Sequence, residues 1–177
     1  MTADFKQMLS GGDLRSIGQS NAVSVIVAGQ GDFDAVFKLL FDPDRIVVMR
    51  SADAIEKITQ RHPEYLSKHI REILEISERA TNKELVWHLA QLISRLHMEP
   101  KEFTRGVILL KSWLINKNNS RIVRANAIES LYKMARGDNE LKKGLEKLIA
   151  RVRLENIPSL NARIKKCRQL YCTDKMD

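Results

Sequence analysis

The side chains of this chain that could ligate a metal or attack a substrate are four histidines and two cysteines. They are His62, His69, His88, His97, Cys167 and Cys172. No two of the histidines stand four positions apart with an acidic partner, as zinc ligands on a helix do. The two cysteines have four residues between them, which is not a metal spacing by itself, and we interpret them as free thiols. We therefore expect no metal and no cofactor.

No catalytic constellation can be recognised either. The stretch "SGGD" (residues 10–13) is rich in glycine, but it lacks the lysine and the spacing of a phosphate-binding loop. No nucleophile stands beside a recognisable base. The sequence therefore predicts a protein that is not an enzyme.

The chain is basic, with 30 Lys and Arg against 22 Asp and Glu in 177 residues, a formal net charge of +8. The excess is uneven, because residues 1–44 carry a net −3 and residues 141–177 a net +6. Such a balance favours an anionic partner, either an acidic protein segment or a nucleic-acid backbone.

Two segments of the sequence provide information on the cellular location of the protein. The N-terminus "MTADFKQML" has no basic run before an apolar core and is not typical of a signal peptide. The apolar run 22–28 is far too short to span a bilayer. We expect a soluble, cytoplasmic protein without a membrane partner, and we predict that the apolar run belongs to a helix that continues "DLRSIGQSNA" (residues 13–22).

An internal sequence repeat indicates how the chain is organised. "MRSADAIEKI" (49–58) returns as "VRANAIESL" (123–131), with Ala54-Ile55-Glu56 matching Ala127-Ile128-Glu129 at an offset of 73 residues, and a third unit lies halfway between. Each unit carries two apolar stripes at helical spacing. The first stripes are Met49, Ala52, Ile55, Ile58; Val86, Leu89 or Ala90, Ile93, Leu96; and Ile122, Ala125, Ile128, Leu131. The second stripes are Leu66, Ile70, Ile73; Phe103, Val107, Leu110; and Leu141, Leu145, Leu148. Three unrelated helix pairs are the alternative, which the coincident register disfavours.

These stripes predict a single all-α domain over residues 1–177, with about ten helices in antiparallel pairs and almost no strand. The predicted parts are a degenerate opening unit 13–41, repeats 42–78, 81–115 and 118–154, and a C-terminal helix 157–172. Asp42 is predicted as an N-cap, and Thr81 with Glu84 as a capping box. Pro63 and Pro100 mark the turns into two second helices. His97 is predicted to lie in the core.

The echoed helices carry a recognisable pattern. Its residues are Arg50, Ala52, Ala54 and Ile55; Val123, Arg124, Ala125 and Ile128; and the capping residues Asp42 and Asp44. With a period of about 37 residues, the chain resembles the HEAT repeat family and its armadillo relatives. "ADAIEKITQRHPEYL" and "ELVWHLAQLISRL" are also similar to a group of small bacterial HEAT-repeat proteins of uncharacterised function. A tetratricopeptide array, with a period of about 34 residues, is the rival, but its landmark residues do not recur here.

The HEAT resemblance implies a right-handed α-solenoid whose first helices line the convex side and whose second helices line the concave side. Position +2 after the first core residue lies opposite the core stripe. In the second helices it is Lys68, Arg105 and Lys143, with Lys142 beside Lys143 and Lys147 extending the row. We predict a basic binding stripe on the concave face. The alternative is a solvated charged face diluted by neighbouring glutamates, Glu146 among them.

Three functions remain open from the sequence. The first is a noncatalytic scaffold that binds another protein, with an acidic segment, through the concave face. The second is a nucleic-acid binder similar to the HEAT-like alkylpurine DNA glycosylases, whose catalytic carboxylate we cannot identify here. The third is a lyase or chaperone for a prosthetic group, as in the HEAT-like phycobilin lyases, and no residue favours it.

Overall fold

A computed structural model describes residues 4–13 and 15–171, and over these residues the protein is all-helical, with ten α-helices and no strand. The helices are α1 (Phe5–Leu9), α2 (Ser20–Ile26), α3 (Gln30–Lys38), α4 (Arg45–Arg61), α5 (Ile70–Arg79), α6 (Lys83–Ile93), α7 (Pro100–Ile115), α8 (Arg121–Met134), α9 (Asn139–Arg153) and α10 (Pro158–Tyr171). Two 3₁₀ segments span Leu39–Phe41 and Pro63–His69. The predicted all-α class is confirmed. Cys172, the last residue of the predicted C-terminal helix, lies outside the described residues.

The chain forms two compact units, which we describe in turn. The first comprises Met1–Glu72 with Arg95–His97, and the second comprises Ile73–Ser94 with Met98–Asp177. In the first unit α4 is central, because α1, α2, α3 and both 3₁₀ segments pack against it. Ile55 and Ile58 of α4 are buried, as are Phe33 and Phe37 of α3 and Leu66 of the second 3₁₀ segment. Burial of these side chains is the main driving force for folding of this unit.

The start of α4 differs from the prediction. Its N-cap is Asp44, whose Oδ1 accepts a hydrogen bond from the Ile46 amide at 2.8 Å. The predicted cap, Asp42, instead accepts from the Asp44 amide at 2.9 Å and pairs with Lys6 at 2.7 Å. Because the Asp42 carboxylate closes a turn and binds a lysine, the helix begins at Arg45, after the turn.

The described residues before α2, 13 and 15–19, are not helical, although their sequence is helix-like. The helix that carries Val23 begins at Ser20, so a helix is confirmed for most of the apolar run but not for these residues. The guanidinium of Arg50 donates hydrogen bonds to backbone carbonyls in and before this segment. The acceptors are the oxygens of Leu9, Ser10, Gly11, Asp13 and Ser16. A buried side chain thus supplies these carbonyls with hydrogen bonds without a helix.

The second helix of the first predicted repeat begins at Pro63, as predicted, but as a 3₁₀ segment. The Ser67 hydroxyl bonds to the Glu64 carbonyl three residues back, within this segment. In a 3₁₀ helix, side chains three residues apart lie directly above one another. The second apolar stripe of this repeat therefore does not keep its α-helical spacing. Leu66 and Ile73 are still buried, whereas Ile70 is partly exposed.

In the second unit α8 is central, because α6, α7 and α10 pack around it. Ten of its 14 residues are buried, among them Ile128 and Leu131. Leu89 of α6, Leu110 of α7 and Leu160 of α10 complete this part of the core. A helix that is surrounded on several sides buries polar residues as well, which explains why α8 is less clearly amphipathic than α9.

Two capping predictions can be compared with the second unit. The Thr81–Glu84 capping box is wrong, since α6 begins at Lys83 without a side-chain cap and Glu84 is buried. A reciprocal contact of that kind occurs at α7 instead, where the Glu102 carboxylate accepts from the Glu99 amide at 3.1 Å. The start of α7 at Pro100 is confirmed.

Several predicted core positions are partly or largely exposed in the structure. Because α6 ends at Ile93, Leu96 lies beyond the helix and His97 is exposed. In α8 Val123 is buried in place of Ile122, which is 45% exposed. Phe103 is also partly exposed. In α7 the close packing begins one turn later, at Gly106, where a Cβ would come within 3.0 Å of Ile93.

Leu66→Ala should lower the free energy of unfolding by about 2–5 kcal/mol, because the side chain is 1% exposed and its removal leaves a cavity. Phe103→Ala should cost clearly less, although the sequence predicts a buried phenylalanine there. Urea unfolding of the two variants and the parent chain measures both values. Equal losses would mean that Phe103 is as closely packed as Leu66.

Candidate functional site

The five residues of the predicted basic stripe lie on three elements. Lys68 is in the 3₁₀ segment 63–69 of the first unit and is exposed. Its charge contributes to lowering the pKa of Asp34, although the hydrogen bond from Gln30 is the larger cause. In the second unit, Arg105 lies on α7, and Lys142, Lys143 and Lys147 lie on α9.

Arg105 has acidic neighbours. Its Nε donates to Glu78 Oε1 at 2.6 Å, and this bond holds the pKa of the Glu78 carboxyl below its usual range. The charges of Glu75 and Glu102 act on the same guanidinium and contribute to raising its pKa. Three carboxylates therefore offset this one cation, and the α7 face offers little free positive charge.

The three lysines of α9 have a different environment. Together with Asn139 and Glu146 they line one depression on the surface of the second unit. Lys143 Nζ lies 3.1 Å from Glu140, but both side chains are mostly exposed, so this pair contributes little. Within residues 4–13 and 15–171, Lys142 and Lys147 form no ion pair. α9 therefore carries cations whose charge is available to a ligand.

Glu146 is the carboxylate in this depression, and its charge is already neutralised. It forms an ion pair with Arg168 of α10, and it accepts a hydrogen bond from the buried Tyr132 hydroxyl at 2.8 Å. Burial, and then the hydrogen bond to Glu146, raise the pKa of Tyr132. The sequence suggested that Glu146 would dilute the lysine row, whereas the geometry directs its carboxylate to Arg168.

The lysine row continues farther than the sequence reasoning found. Lys143, Lys147 and Arg151 are spaced by four residues on α9, so they share one face of the helix. Arg151 is exposed and has no ion pair in the part of the chain that the structure describes. The four-residue spacing is visible in the sequence and could have identified it.

Beyond Arg151, a cleft of about 300 Å³ lies between the last residues of α7 and the end of α9. Its apolar lining consists of Ile115, Leu148, Val152 and Leu154. Ile115 is 55% exposed and Leu154 is 86% exposed, which is unusual for large apolar side chains beside one cleft. Sequence reasoning missed this cleft because its two sides are more than thirty residues apart.

The charged lining of the cleft is positive in effect. Lys117 and Arg151 stand at it without ion pairs among the described residues. The one acidic lining residue, Glu155, is bound through both carboxylate oxygens by Arg124, at 2.8 Å each. The hydrogen bond from Arg124 is the main reason why the pKa of Glu155 is lowered.

Comparison with known families decides the relationship. A family model of the HEAT repeat domain matches residues 5–169. The chain belongs to the HEAT repeat domain family. HEAT repeats generally serve as protein-interaction scaffolds, and the family is typically noncatalytic. Searches of curated proteins and of solved structures each gave no match.

Membership in the HEAT family agrees with the roles of the two arginines that carried the resemblance. Arg50 of α4 and Arg124 of α8 are both 2% exposed. Each is held by acceptors outside its own helix, Arg50 by loop carbonyls and Arg124 by Glu155 and the Leu114 carbonyl. In this HEAT protein the repeated arginines are thus packing residues and are not available to a ligand.

Within residues 4–13 and 15–171, no three His, Cys, Asp or Glu side chains form a group that could hold a metal ion. Cys167 is a free thiol, as predicted, and it is buried. Burial raises the pKa of this thiol to about 11. None of the helices in the described part of the chain combines the length and the apolar character that crossing a membrane requires.

Proposed function

We propose that this HEAT repeat protein is a noncatalytic scaffold that binds an acidic segment of another protein along α9. The observation that carries the proposal is the cation row Lys143, Lys147 and Arg151, with Lys142 beside it. The nearby carboxylate of Glu146 is neutralised by Arg168. α9 is the second helix of the repeat 118–154, and in HEAT arrays second helices line the concave face.

One feature favours a protein partner over a nucleic acid. The cation row leads to an apolar cleft, and apolar side chains are available on a polypeptide but not on a phosphate backbone.

Replacing Lys142, Lys143 and Lys147 together with glutamate should abolish binding of an acidic peptide and leave the thermal melt almost unchanged. Exposed charges contribute little to folding, whereas reversal of the three lysines turns attraction into repulsion over most of the row. Fluorescence anisotropy with a labelled polyglutamate peptide measures the binding. The matched control reverses Arg79, Lys101 and Arg121, three exposed cations of the same unit, and should bind the peptide like the parent chain.

The same measurement with single-stranded DNA and RNA distinguishes the alternative. If each of the four cations in the row neutralises one phosphate of a single strand, the affinity for the nucleic acid should fall by a factor of about 50 between about 50 and 200 mM salt. We expect the affinity for the peptide to depend less on salt concentration, and we expect the protein not to prefer the nucleic acids over the peptide. Equal binding of the peptide by the parent and the triple variant would show that the row is only a solvated face.

A further inference from the structure

We propose that the segment bound along α9 carries a bulky apolar residue beside its acidic residues, and that this residue occupies the cleft formed by Ile115, Leu148, Val152 and Leu154. The inference rests on the proposed function and specifies the chemistry of the partner, an extended acidic segment with one apolar anchor. We call these four residues the anchor cleft.

The anchor cleft is continuous with the cation row. Lys147 lines the depression on α9, and Arg151, one helical turn farther along the same face, lines the cleft. A segment that follows the row toward the C-terminal end of α9 therefore arrives at the cleft without crossing another element.

The charge of the cleft fits an anionic segment. Lys117 and Arg151 are free of ion pairs within the described residues, and the Glu155 carboxylate is occupied by Arg124. Arg151 also lies in the last turn of α9, where a cation interacts favourably with the helix dipole. Lys117 follows the last residue of α7 by two positions, so both cations of the cleft stand near the C-terminal end of a helix.

The apolar lining fits one side chain of the partner. At about 300 Å³ the cleft is at the small end of ligand-binding pockets, too small for a second helix but sufficient for a side chain such as leucine or phenylalanine. Covering Leu154 and Ile115, which are 86% and 55% exposed, would remove apolar surface from water on both partners.

Helix geometry gives the spacing between anchor and charge. Nine residues of helix separate Lys143 from Val152, which is roughly 13 Å at 1.5 Å per residue. An extended peptide advances about 3.3 Å per residue, so the farthest acidic residue should stand about four positions from the anchor.

The test uses the 177-residue chain and synthetic polyglutamate peptides that carry a single leucine, placed at successive distances from the glutamates. A serine in place of the leucine gives the unanchored peptide. We expect the leucine to tighten binding about tenfold or more, as burial of one large apolar side chain does, with the optimum near four positions. Equal affinity of the anchored and unanchored peptides would overturn the inference while leaving the proposed function in place.

Two double substitutions test whether the gain in affinity from the leucine comes from the anchor cleft. Ile115→Ser with Leu154→Ser should remove the tenfold preference and retain binding of the unanchored peptide, because both side chains are exposed and the lysines are intact. Ile108→Ser with Leu170→Ser removes two other exposed apolar side chains of the second unit and should keep the preference. If the control pair loses the preference as well, the inference fails.

Two other outcomes are informative. If neither peptide binds the parent chain at low salt, the proposed function fails and the inference fails with it. Analytical ultracentrifugation tests a second copy of this chain as the occupant. A dimer that Ile115→Ser with Leu154→Ser converts to a monomer would overturn the peptide-anchor inference.

Discussion

Glu155→Ala should lower the free energy of unfolding by about 3–5 kcal/mol, because it leaves the Arg124 guanidinium buried without its counter-charge. Arg124 is 2% exposed, and its Nη1 and Nη2 each donate to one oxygen of Glu155 at 2.8 Å. Its third bond, from Nε to the Leu114 carbonyl at 2.8 Å, cannot compensate a whole charge. Urea unfolding of the variant and the parent chain measures the loss.

Two further variants define this effect. Glu140→Ala removes a carboxylate that pairs with the exposed Lys143, and it should cost less than about 1 kcal/mol. Arg124→Met with Glu155→Leu removes both charges and should recover most of the loss, since an apolar pair needs no counter-charge. A Glu155→Ala loss as small as that of Glu140→Ala would contradict the burial of the pair.

The pH dependence follows from the direction of the shift. The hydrogen bond from Arg124 holds the pKa of Glu155 below the ordinary value of 4.5, so the folded state binds this proton less readily than the unfolded chain does. The stabilisation is complete above the ordinary value and is lost as the pH falls through the lower folded value. The difference in unfolding midpoint between the parent and Glu155→Gln should therefore narrow in acid.

The second large effect is expected at Arg50, where substitution by alanine should lower the free energy of unfolding by at least about 2 kcal/mol. Bonds from a charged donor are worth about 1.5–3 kcal/mol each but are not additive, and the freed carbonyls can reach water. Arg50 donates to five backbone oxygens between Leu9 and Ser16. Amide hydrogen exchange should show faster exchange in the segment 10–20 and in α1.

Arg50→Lys should recover little of this loss, because an ammonium group cannot donate to the same set of carbonyls as the planar guanidinium. Gly18→Ala should disturb the same contact through the loop that packs on Arg50. Gly18 has φ +53°, and a Cβ there would lie 2.8 Å from Arg50 Cζ. Gly31→Ala is the control, since its added methyl meets no atom within 4 Å. Equal stability of the two alanine variants would argue against the close packing of the loop on Arg50.

The helical periodicity of the sequence was sufficient to predict the all-α class, and the resemblance of the repeated residues to HEAT repeats indicated the family. Apolar residues at positions such as Ile55, Ile58, Ile128 and Leu131 must be buried, and that requirement is local to each helix. Element boundaries were less predictable, because the N-cap depends on which of two neighbouring carboxylates accepts from the amides of the first helical turn. Asp44 caps α4 because Asp42 is engaged by Lys6.

The sequence by itself determined that a basic residue recurs on the second helices, at Lys68, Arg105 and Lys143. Only the tertiary structure decided which cations are free, because neutralisation depends on partners far along the chain. Arg105 is neutralised by Glu78, 27 residues away, and Glu146 is withdrawn from the lysine row by Arg168, 22 residues away. Electrostatic attraction acts over distance in space, whereas sequence patterns report only neighbours along one helix.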